Sequence, residues 1–237
     1  MRGKLSIQMP PKALTFDDQM VTRELHKAAL SWFYENGRKF PWRDTSDAYQ
    51  VLVAEVCLQK TNADKVAPVF QQIIGKYPTM NQLAKADLRD LNAYFSHLGL
   101  FKRGYFLLQI AKDITNDYGG AIPKDREALL KVKGIGEYTA NSVLCLAYRE
   151  RLPLLDGSTQ RVLSRVYGLK VNKPAWANKS MRAFMETILP DSEAREFNLA
   201  LIDIAAKYCR PKKPKCGDCP LAEICLSPTR LRGQNDG

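Results

Sequence analysis

Long apolar runs are missing from this sequence. No stretch of about eighteen consecutive apolar residues occurs, so we expect no transmembrane helix. Residues 1–12 are polar and basic and contain no apolar core, so we also expect no secretory signal peptide. Both absences favour a reducing compartment, in which disulfides are rare and thiolate–metal sites persist.

Strict alternation of apolar and polar residues, which is typical of a half-buried strand, is also missing, and so are internal repeats and low-complexity segments. Apolar positions recur with helical spacing instead. Thr22 is a suitable cap for a helix that ends at Asn36-Gly37, and Asp47 can cap a second helix that runs to about Leu58. The sequence therefore predicts an all-α protein.

Basic side chains outnumber acidic ones, with 36 Lys and Arg against 25 Asp and Glu, for a formal net charge of +11. The excess is spread along the chain and does not form a single-sign tail. A basic folded surface favours a polyanionic partner, either nucleic acid or an acidic membrane surface.

Four of the six cysteines lie close together near the C-terminus, in the pattern C-x6-C-x2-C-x5-C. They are Cys209, Cys216, Cys219 and Cys225. The first gap, Arg210–Lys215, is basic and contains two prolines. Four thiolates at this spacing suit zinc or an iron–sulfur cluster, and two disulfides are the remaining alternative.

A Gly-x-Gly turn joins two helical segments at Gly134-Ile135-Gly136. Glycines allow a tight turn and a close approach of the backbone to a ligand. The N–H groups at the start of the second helix suit a phosphate. The alternative interpretation is an ordinary corner between two helices.

Two carboxylates are candidates for catalysis. Asp156 follows an apolar run and can cap a helix, a role that does not exclude chemistry. Glu55 lies in a helix that is apolar on nearly all sides, so desolvation is expected to raise its pKa and make it suitable as a general acid. The alternative for Glu55 is a buried structural hydrogen bond or ion pair.

These segments, together with Glu55–Thr61 and Phe197-Asn198, resemble the helix-hairpin-helix DNA glycosylase superfamily. The resemblance extends from about Phe40-Pro41-Trp42 to Cys225. That superfamily contains endonuclease III, adenine glycosylases and thymine mismatch glycosylases. Its members hold a [4Fe–4S] cluster with this cysteine pattern, so the resemblance implies that cofactor and makes Cys209, Cys216, Cys219 and Cys225 its ligands.

The resemblance also implies a domain plan. A six-helix barrel with the helix-hairpin-helix is expected over residues 40–150, and an iron–sulfur cluster domain over residues 21–39 plus 151–225. Residues 1–20 are expected to be an irregular N-terminal segment, and residues 226–237 a C-terminal tail.

Members of this superfamily flip a nucleotide out of double-stranded DNA and cut its glycosidic bond. By resemblance, Asp156 stabilises the oxocarbenium ion or activates water, and Glu55 donates a proton. Tyr138 occupies the position at which the lyases of the superfamily carry a lysine. Tyrosine forms no Schiff base, so the sequence predicts a monofunctional DNA N-glycosylase with weak or no lyase activity at abasic sites.

The resemblance further implies several DNA contacts. Gln59 and Lys60 match the loop that fills the space left by the flipped base, and Leu100 matches a wedge between base steps, although packing at helix ends is an alternative for these residues. Phosphate contacts are expected from the hairpin and the cysteine loop, through Gly134, Gly136, Arg210, Lys212, Lys213 and Lys215.

The expected substrate is thymine or uracil opposite guanine. The sequence ends soon after Cys225, the Gln59-Lys60 pair departs from the adenine glycosylase pattern, and Asp117–Gly120 looks closer to the thymine enzymes. Leu155-Asp156-Gly157 looks more like the adenine enzymes. Removal of adenine from A·G or A·8-oxoG pairs is therefore the alternative, and a non-catalytic DNA-binding module is the second.

The expected setting is base excision repair of DNA damage in the cytoplasm of a prokaryote, in association with the nucleoid. We expect a monomer that binds double-stranded DNA with a mismatched or damaged base and does not bind membrane. An AP endonuclease would act on its product.

Overall fold

The computed structural model of the protein describes residues 14–96, 98–99 and 102–227. Within these ranges it contains helices and no strand, which confirms the expected all-α class. None of the helices in these ranges is both long enough and apolar enough to span a bilayer. The chain forms two compact units. The central unit is Lys39–Glu150, and the terminal unit comprises the described residues up to Arg38 and from Arg151 onward.

Capping residues set the ends of several helices. The side chains of Asp47 and Asn62 accept first-turn N–H groups at the starts of α2 and α3, and Gly119, with a φ of 64°, closes α6. Short 3-10 turns cover Pro41–Arg43 and Ala175–Ala177. In chain order the α-helices of the described ranges are α1 (Phe16–Asn36), α2 (Ala48–Leu58), α3 (Ala63–Lys76), α4 (Met80–Leu83), α5 (Leu88–Ser96), α6 (Arg103–Tyr118), α7 (Arg126–Lys131), α8 (Glu137–Tyr148), α9 (Gly157–Val166), α10 (Lys179–Thr187) and α11 (Ala194–Lys207).

Helix α1 starts earlier than its expected cap, Thr22. Thr15 caps it instead, because its hydroxyl accepts the N–H of Asp18 and the Asp18 carboxylate accepts the N–H of Thr15, each at 3.1 Å. Thr22 lies inside the helix, where its hydroxyl donates to the Asp18 carbonyl and shares a 2.7 Å hydrogen bond with the hydroxyl of Tyr167. Residues 16–20, expected to be irregular, are therefore helical.

Helix α2 forms the centre of the central unit. All residues from Ala48 to Cys57 except Gln50 are buried, and the helix packs against α3, α6 and α8. Phe40 and Trp42 stack with ring centroids 4.8 Å apart beside this core, and Trp42 meets Phe70 of α3 edge-on. A helix surrounded in this way can carry a polar side chain only at a protected position.

The terminal unit is built around α11. This helix packs against α1 and α9, and its residues Phe197 and Ile204 lie in a core shared with Leu25 of α1 and Leu163 of α9. Met185 of α10 completes the same cluster. The packing of α9 against α11 fixes the direction of this helix, and Asp156 is its N-cap.

An ion pair with one buried partner joins α11 to Arg38, two residues beyond the end of α1. Asp203 is 1% exposed and accepts the backbone N–H of Arg38 at 2.8 Å and its Nε at 2.7 Å. The guanidinium of Arg38 is about a third exposed. Asp203 therefore carries most of the desolvation cost, which its two hydrogen bonds from Arg38 help to offset.

We expect Asp203→Ala to lower the free energy of unfolding by about 3 kcal/mol, because it removes two charge-assisted hydrogen bonds to Arg38, one of them from the part-buried backbone N–H. Urea denaturation of the anaerobic protein measures the loss. Asp191→Ala is the matched control, since Asp191 is fully exposed and pairs with Arg151 at 3.4 Å; its denaturation midpoint should not move. Equal midpoints for the two variants would contradict this account of Asp203.

Candidate active site and metal centre

The four clustered cysteines line one pocket of the terminal unit. Cys209, Cys216, Cys219 and Cys225 surround about 330 Å³ of space, part of it open to solvent. None of them is in a disulfide. Over the described ranges, no three His, Cys, Asp or Glu side chains converge closely enough for one metal ion. A [4Fe–4S] cluster takes one thiolate on each iron, and four free thiols that line one pocket suit it.

Basic side chains of α9 lie beside the cysteines. Nη1 of Arg165 is 3.3 Å from Sγ of Cys209, and such an N–H to sulfur contact stabilises a bound thiolate. Burial raises the pKa of the Cys219 thiol to about 11, so binding of iron must displace a proton that the thiol otherwise keeps. These residues can therefore hold an iron–sulfur cluster and support one of its ligands.

The cysteine loop, which we define as residues 210–215, is fastened at its start. Nε of Arg161 donates to the carbonyl of Cys209 at 2.7 Å, and Arg165 donates to the carbonyl of Arg210 at 2.8 Å. The N–H of Lys215 returns to the carbonyl of Tyr208 at 3.0 Å and closes the loop. Its four basic side chains are all exposed: Arg210, Lys212, Lys213 and Lys215.

Asp156 is the N-cap of α9, as the sequence predicts. Its Oδ1 accepts the N–H groups of Ser158 and Thr159 at 2.8 and 2.7 Å, and the hydroxyls of both residues also reach it. Among the described residues, Oδ2 accepts a hydrogen bond from the Ser158 hydroxyl alone, at 2.9 Å. The Ser158 hydroxyl lies near both carboxylate oxygens but has a single proton, so it donates to one of them at a time. Oδ2 can therefore accept a hydrogen bond from another partner. The half-buried carboxylate is thus oriented through one oxygen while the other stays available.

Asn198 of α11 holds the chain that leads to Asp156. Its side chain is fully buried; Oδ1 accepts the N–H of Leu154, and Nδ2 donates to the carbonyl of Leu152, both at 3.0 Å. The sequence marks Asn198 only as part of a motif. Its three-way anchoring, completed by the carbonyl of Ala194 at 2.8 Å, identifies it as a support of the Asp156 backbone.

In the central unit, the expected hairpin lies between α7 and α8. Gly134 has a φ of 100°, a conformation that favours glycine, and a Cβ there would lie 3.4 Å from Cδ1 of Ile110. Gly136 is the N-cap of α8 and offers no side chain to accept the first-turn N–H groups. The exposed Lys131 and Lys133, which sequence reasoning did not single out, flank the turn. This hairpin can accept an anion.

The other candidate residues of the central unit lie on α8 and α2, which pack together. Tyr138 is half-buried in the first turn of α8, and Glu55 is 8% exposed on α2. The burial of Glu55 that the sequence predicts is therefore confirmed. Its proposed role as a proton donor stays a prediction.

The expected DNA-contact loops are described in part. Gln59 and Lys60 are exposed in the turn after α2, and Lys60 has a φ of 56°. Leu100 lies outside the described residues. Arg103, which sequence reasoning missed, is buried beside this turn. The one sequence signal for Arg103 is its position three residues after Leu100, because its hydrogen-bond partners are 42 and 46 residues away in the chain.

Comparison with known proteins agrees with this geometry. Residues 53–190 match a family model described as HhH-GPD superfamily base excision DNA repair protein. Residues 209–225, from the first to the last clustered cysteine, match the iron-sulfur binding domain of endonuclease III. The chain therefore carries a [4Fe–4S] cluster, and the matched segment contains Cys209, Cys216, Cys219 and Cys225.

The chain is similar to curated glycosylases of two kinds. It is 32% identical over 197 residues to a thymine/uracil-DNA glycosylase of Methanothermobacter thermautotrophicus, covering 83% of this chain and 89% of that protein. It is 32% identical over 206 residues to an adenine DNA glycosylase of Buchnera aphidicola, covering 84% of this chain and 58% of that protein. A solved structure of a thermostable thymine-DNA glycosylase superposes with a TM-score of 0.82 at 31% identity, covering 87% of this chain and 96% of that one.

The cysteines provide a direct test of the metal centre. Cys57 and Cys145 are fully buried, and burial raises the pKa of Cys57 to about 12. We expect the anaerobic protein with its cluster to show almost no fast reaction with a thiol reagent. Removal of iron in native buffer should expose Cys209, Cys216 and Cys225 to fast labelling and Cys219, whose pKa burial raises, to slower labelling, each assigned by mass spectrometry. Denaturation should expose all six thiols. Equally fast labelling of Cys57 or Cys145 would show that this assignment is wrong.

Proposed function

The chain belongs to the HhH-GPD superfamily of base excision DNA repair proteins, and we propose that it removes thymine or uracil paired with guanine in double-stranded DNA. The chain is a DNA N-glycosylase, and what we propose is the identity of the base that it removes. The observation that carries this choice is its likeness to thymine and thymine/uracil glycosylases, both in sequence and in a solved structure.

The carboxylate of Asp156 is the proposed catalytic group. Cleavage of the N-glycosidic bond leaves its electron pair on the base and positive charge on the sugar. Oδ2 is the oxygen with remaining acceptor capacity, so it can face that charge or accept a proton from the attacking water. Water then supplies the new oxygen on the sugar, and the base takes up a proton as it leaves.

The proposed DNA contacts divide by their chemistry. The hairpin at Gly134 and Gly136 offers backbone N–H groups and the positive end of α8 to a phosphate. The cysteine loop offers four exposed cations, which give affinity without sequence choice. The cluster binds four thiolates and so fixes both ends of this loop. Gln59, Lys60 and Leu100 are proposed to occupy the space left by the flipped nucleotide.

Adenine excision is the second candidate, and Glu55 favours it. A carboxylic acid that is 8% exposed inside an apolar helix suits protonation of a purine ring nitrogen. Similarity to the adenine glycosylase of Buchnera aphidicola extends over most of this chain. The two candidates share the role of Asp156 and differ in the released base.

The wider setting is part of the same proposal. We infer that the protein acts as a monomer in the cytoplasm of a prokaryote and leaves an abasic site. That product requires an endonuclease for abasic sites as the next enzyme of base excision repair.

A panel of duplexes tests the choice of base. Duplexes with G·T, G·U, A·G and A·8-oxoG pairs are incubated with excess protein, and the abasic product is cleaved with alkali. We expect release of thymine and uracil from the first two and little release of adenine, because the chain is similar to enzymes of that specificity in sequence and in a solved structure. Release of adenine alone would replace the proposal with its second candidate.

Asp156→Asn is the control variant for the same panel. The amide keeps the shape and the cap of α9 but not the charge, so excision should fall at least about 1000-fold while affinity for the G·T duplex stays within about 3-fold. Full turnover by this variant would remove Asp156 from the mechanism. Binding without excision by the wild-type protein would indicate a non-catalytic module.

Borohydride trapping tests the monofunctional mechanism. Tyr138 carries a phenol and cannot form an imine with the abasic sugar, so we expect almost no covalent protein–DNA product from the wild-type protein. Tyr138→Lys, which supplies an amine at that position, is the matched positive control. High-yield trapping of the wild-type protein would establish a different nucleophile and contradict the prediction.

A further inference from the structure

Arg103 is a buried cation with unusual partners. It lies at the start of α6, is 7% exposed, and directs Nη1 to the carbonyl of Cys57 at 2.9 Å and to Oγ1 of Thr61 at 3.2 Å. Burial lowers the pKa of its guanidinium. Its hydrogen bonds in the described part of the chain go to a backbone carbonyl and a hydroxyl, and no carboxylate pairs with it there. Burying a guanidinium without a carboxylate partner costs free energy, so a contribution to stability does not by itself explain why Arg103 is buried here.

The two acceptors of Arg103 lie on either side of an exposed turn. Cys57 belongs to the last turn of α2, whose carbonyls have no partner within the helix. Thr61 closes the turn by donating its N–H to the carbonyl of Leu58 at 3.0 Å and its hydroxyl to the carbonyl of Gln59 at 3.2 Å. One guanidinium nitrogen therefore holds both ends of the Gln59-Lys60 turn.

The backbone of this turn needs such support. Lys60 has a φ of 56°, a region that a side chain other than glycine enters at a cost in energy. Both Gln59 and Lys60 point into solvent, and neither is buried by packing. Without Arg103, the hydrogen bonds left to this turn in the described part of the chain are those that Thr61 makes to Leu58 and Gln59.

We propose that Arg103 is a positioning residue for nucleotide flipping, which fastens the Gln59-Lys60 turn to the start of α6. This inference rests on the proposed function, in which Gln59 and Lys60 fill the space left by the flipped nucleotide. Arg103 also follows Leu100, the expected wedge, by three residues in the sequence. A preformed turn can enter the base stack before the nucleotide returns, whereas a loose turn must first become ordered.

Three variants separate this role from general stability. Arg103→Met keeps most of the side-chain volume and removes every donor. Thr61→Val removes the hydroxyl that accepts from Arg103, together with its bond to the Gln59 carbonyl, with little change in shape, and it keeps the guanidinium buried. Arg103→Lys keeps the charge but loses the planar fork, so it should restore part of the function. Lys102→Met is the matched control for charge, since Lys102 is the exposed neighbour of Arg103.

Flipping is read from the fluorescence of 2-aminopurine placed next to the mismatched thymine, and excision from single-turnover rates on the same G·T duplex. Affinity for a fully paired duplex reports phosphate contacts alone. We expect Arg103→Met to lower flipping and excision by about 10- to 100-fold and to leave affinity for paired DNA within about 2-fold. Thr61→Val should show the same pattern with a smaller loss, and Lys102→Met should weaken binding to both duplexes equally.

Wild-type flipping in Arg103→Met and Thr61→Val would overturn the proposal, and so would equal losses on paired and mismatched DNA. If Arg103→Met does not fold, as judged by circular dichroism and cluster absorbance, the flipping signal of Thr61→Val tests the proposal instead. The flipping signal does not need excision. Absence of base release by the wild-type protein would therefore count against the proposed function and leave the test of Arg103 intact.

Discussion

The hydrogen bonds at the two ends of α9 are the constraint on which the terminal unit depends. At its start, two N–H groups fix Oδ1 of Asp156, and further along Arg161 and Arg165 hold the cysteine loop. The helix has ten residues and is about 15 Å long. The carboxylate and the loop are therefore parts of one rigid element, and α11 supports it through its core contacts and through Asn198.

The central unit contributes a different kind of chemistry. The glycine turn of its hairpin presents backbone N–H groups, and the turn after α2 is held by Arg103 through a carbonyl and a hydroxyl. Fixed dipoles of this kind require little reorganisation when a ligand arrives. We propose that long-range attraction for DNA comes from exposed cations such as those of the cysteine loop and Lys131 and Lys133, in line with the net charge of +11.

Local sequence signals predict the features that depend on neighbouring residues. The Asp47 and Asp156 caps, the end of α1 at Asn36 and the convergence of four cysteines on one pocket are all found as expected. The predicted start of α1 at Thr22 was wrong because Thr15 and Thr22 are both suitable caps. Of the two, Thr15 has an acidic residue three positions later, Asp18, whose carboxylate accepts the N–H of Thr15.

The arginines that organise the site leave no such signal. Arg103 donates to a carbonyl 46 residues away, and Arg161 to one 48 residues away. A backbone carbonyl exists at every position, so no residue type in the sequence marks these partners. Arg161 and Arg165 do share one face of α9 by their spacing of four, but the spacing does not reveal that this face meets the cysteine loop. Long-range bonds to the backbone become visible only when the chain has folded.

The most direct test of the account is a crystal structure with a duplex that carries a pyrrolidine nucleotide opposite guanine. The cationic ring nitrogen of that nucleotide resembles the charged sugar of the transition state. The account predicts a flipped nucleotide with this nitrogen about 3 Å from Oδ2 of Asp156, while Oδ1 keeps its bonds to the first turn of α9. A nitrogen beyond hydrogen-bond distance of both carboxylate oxygens would contradict it.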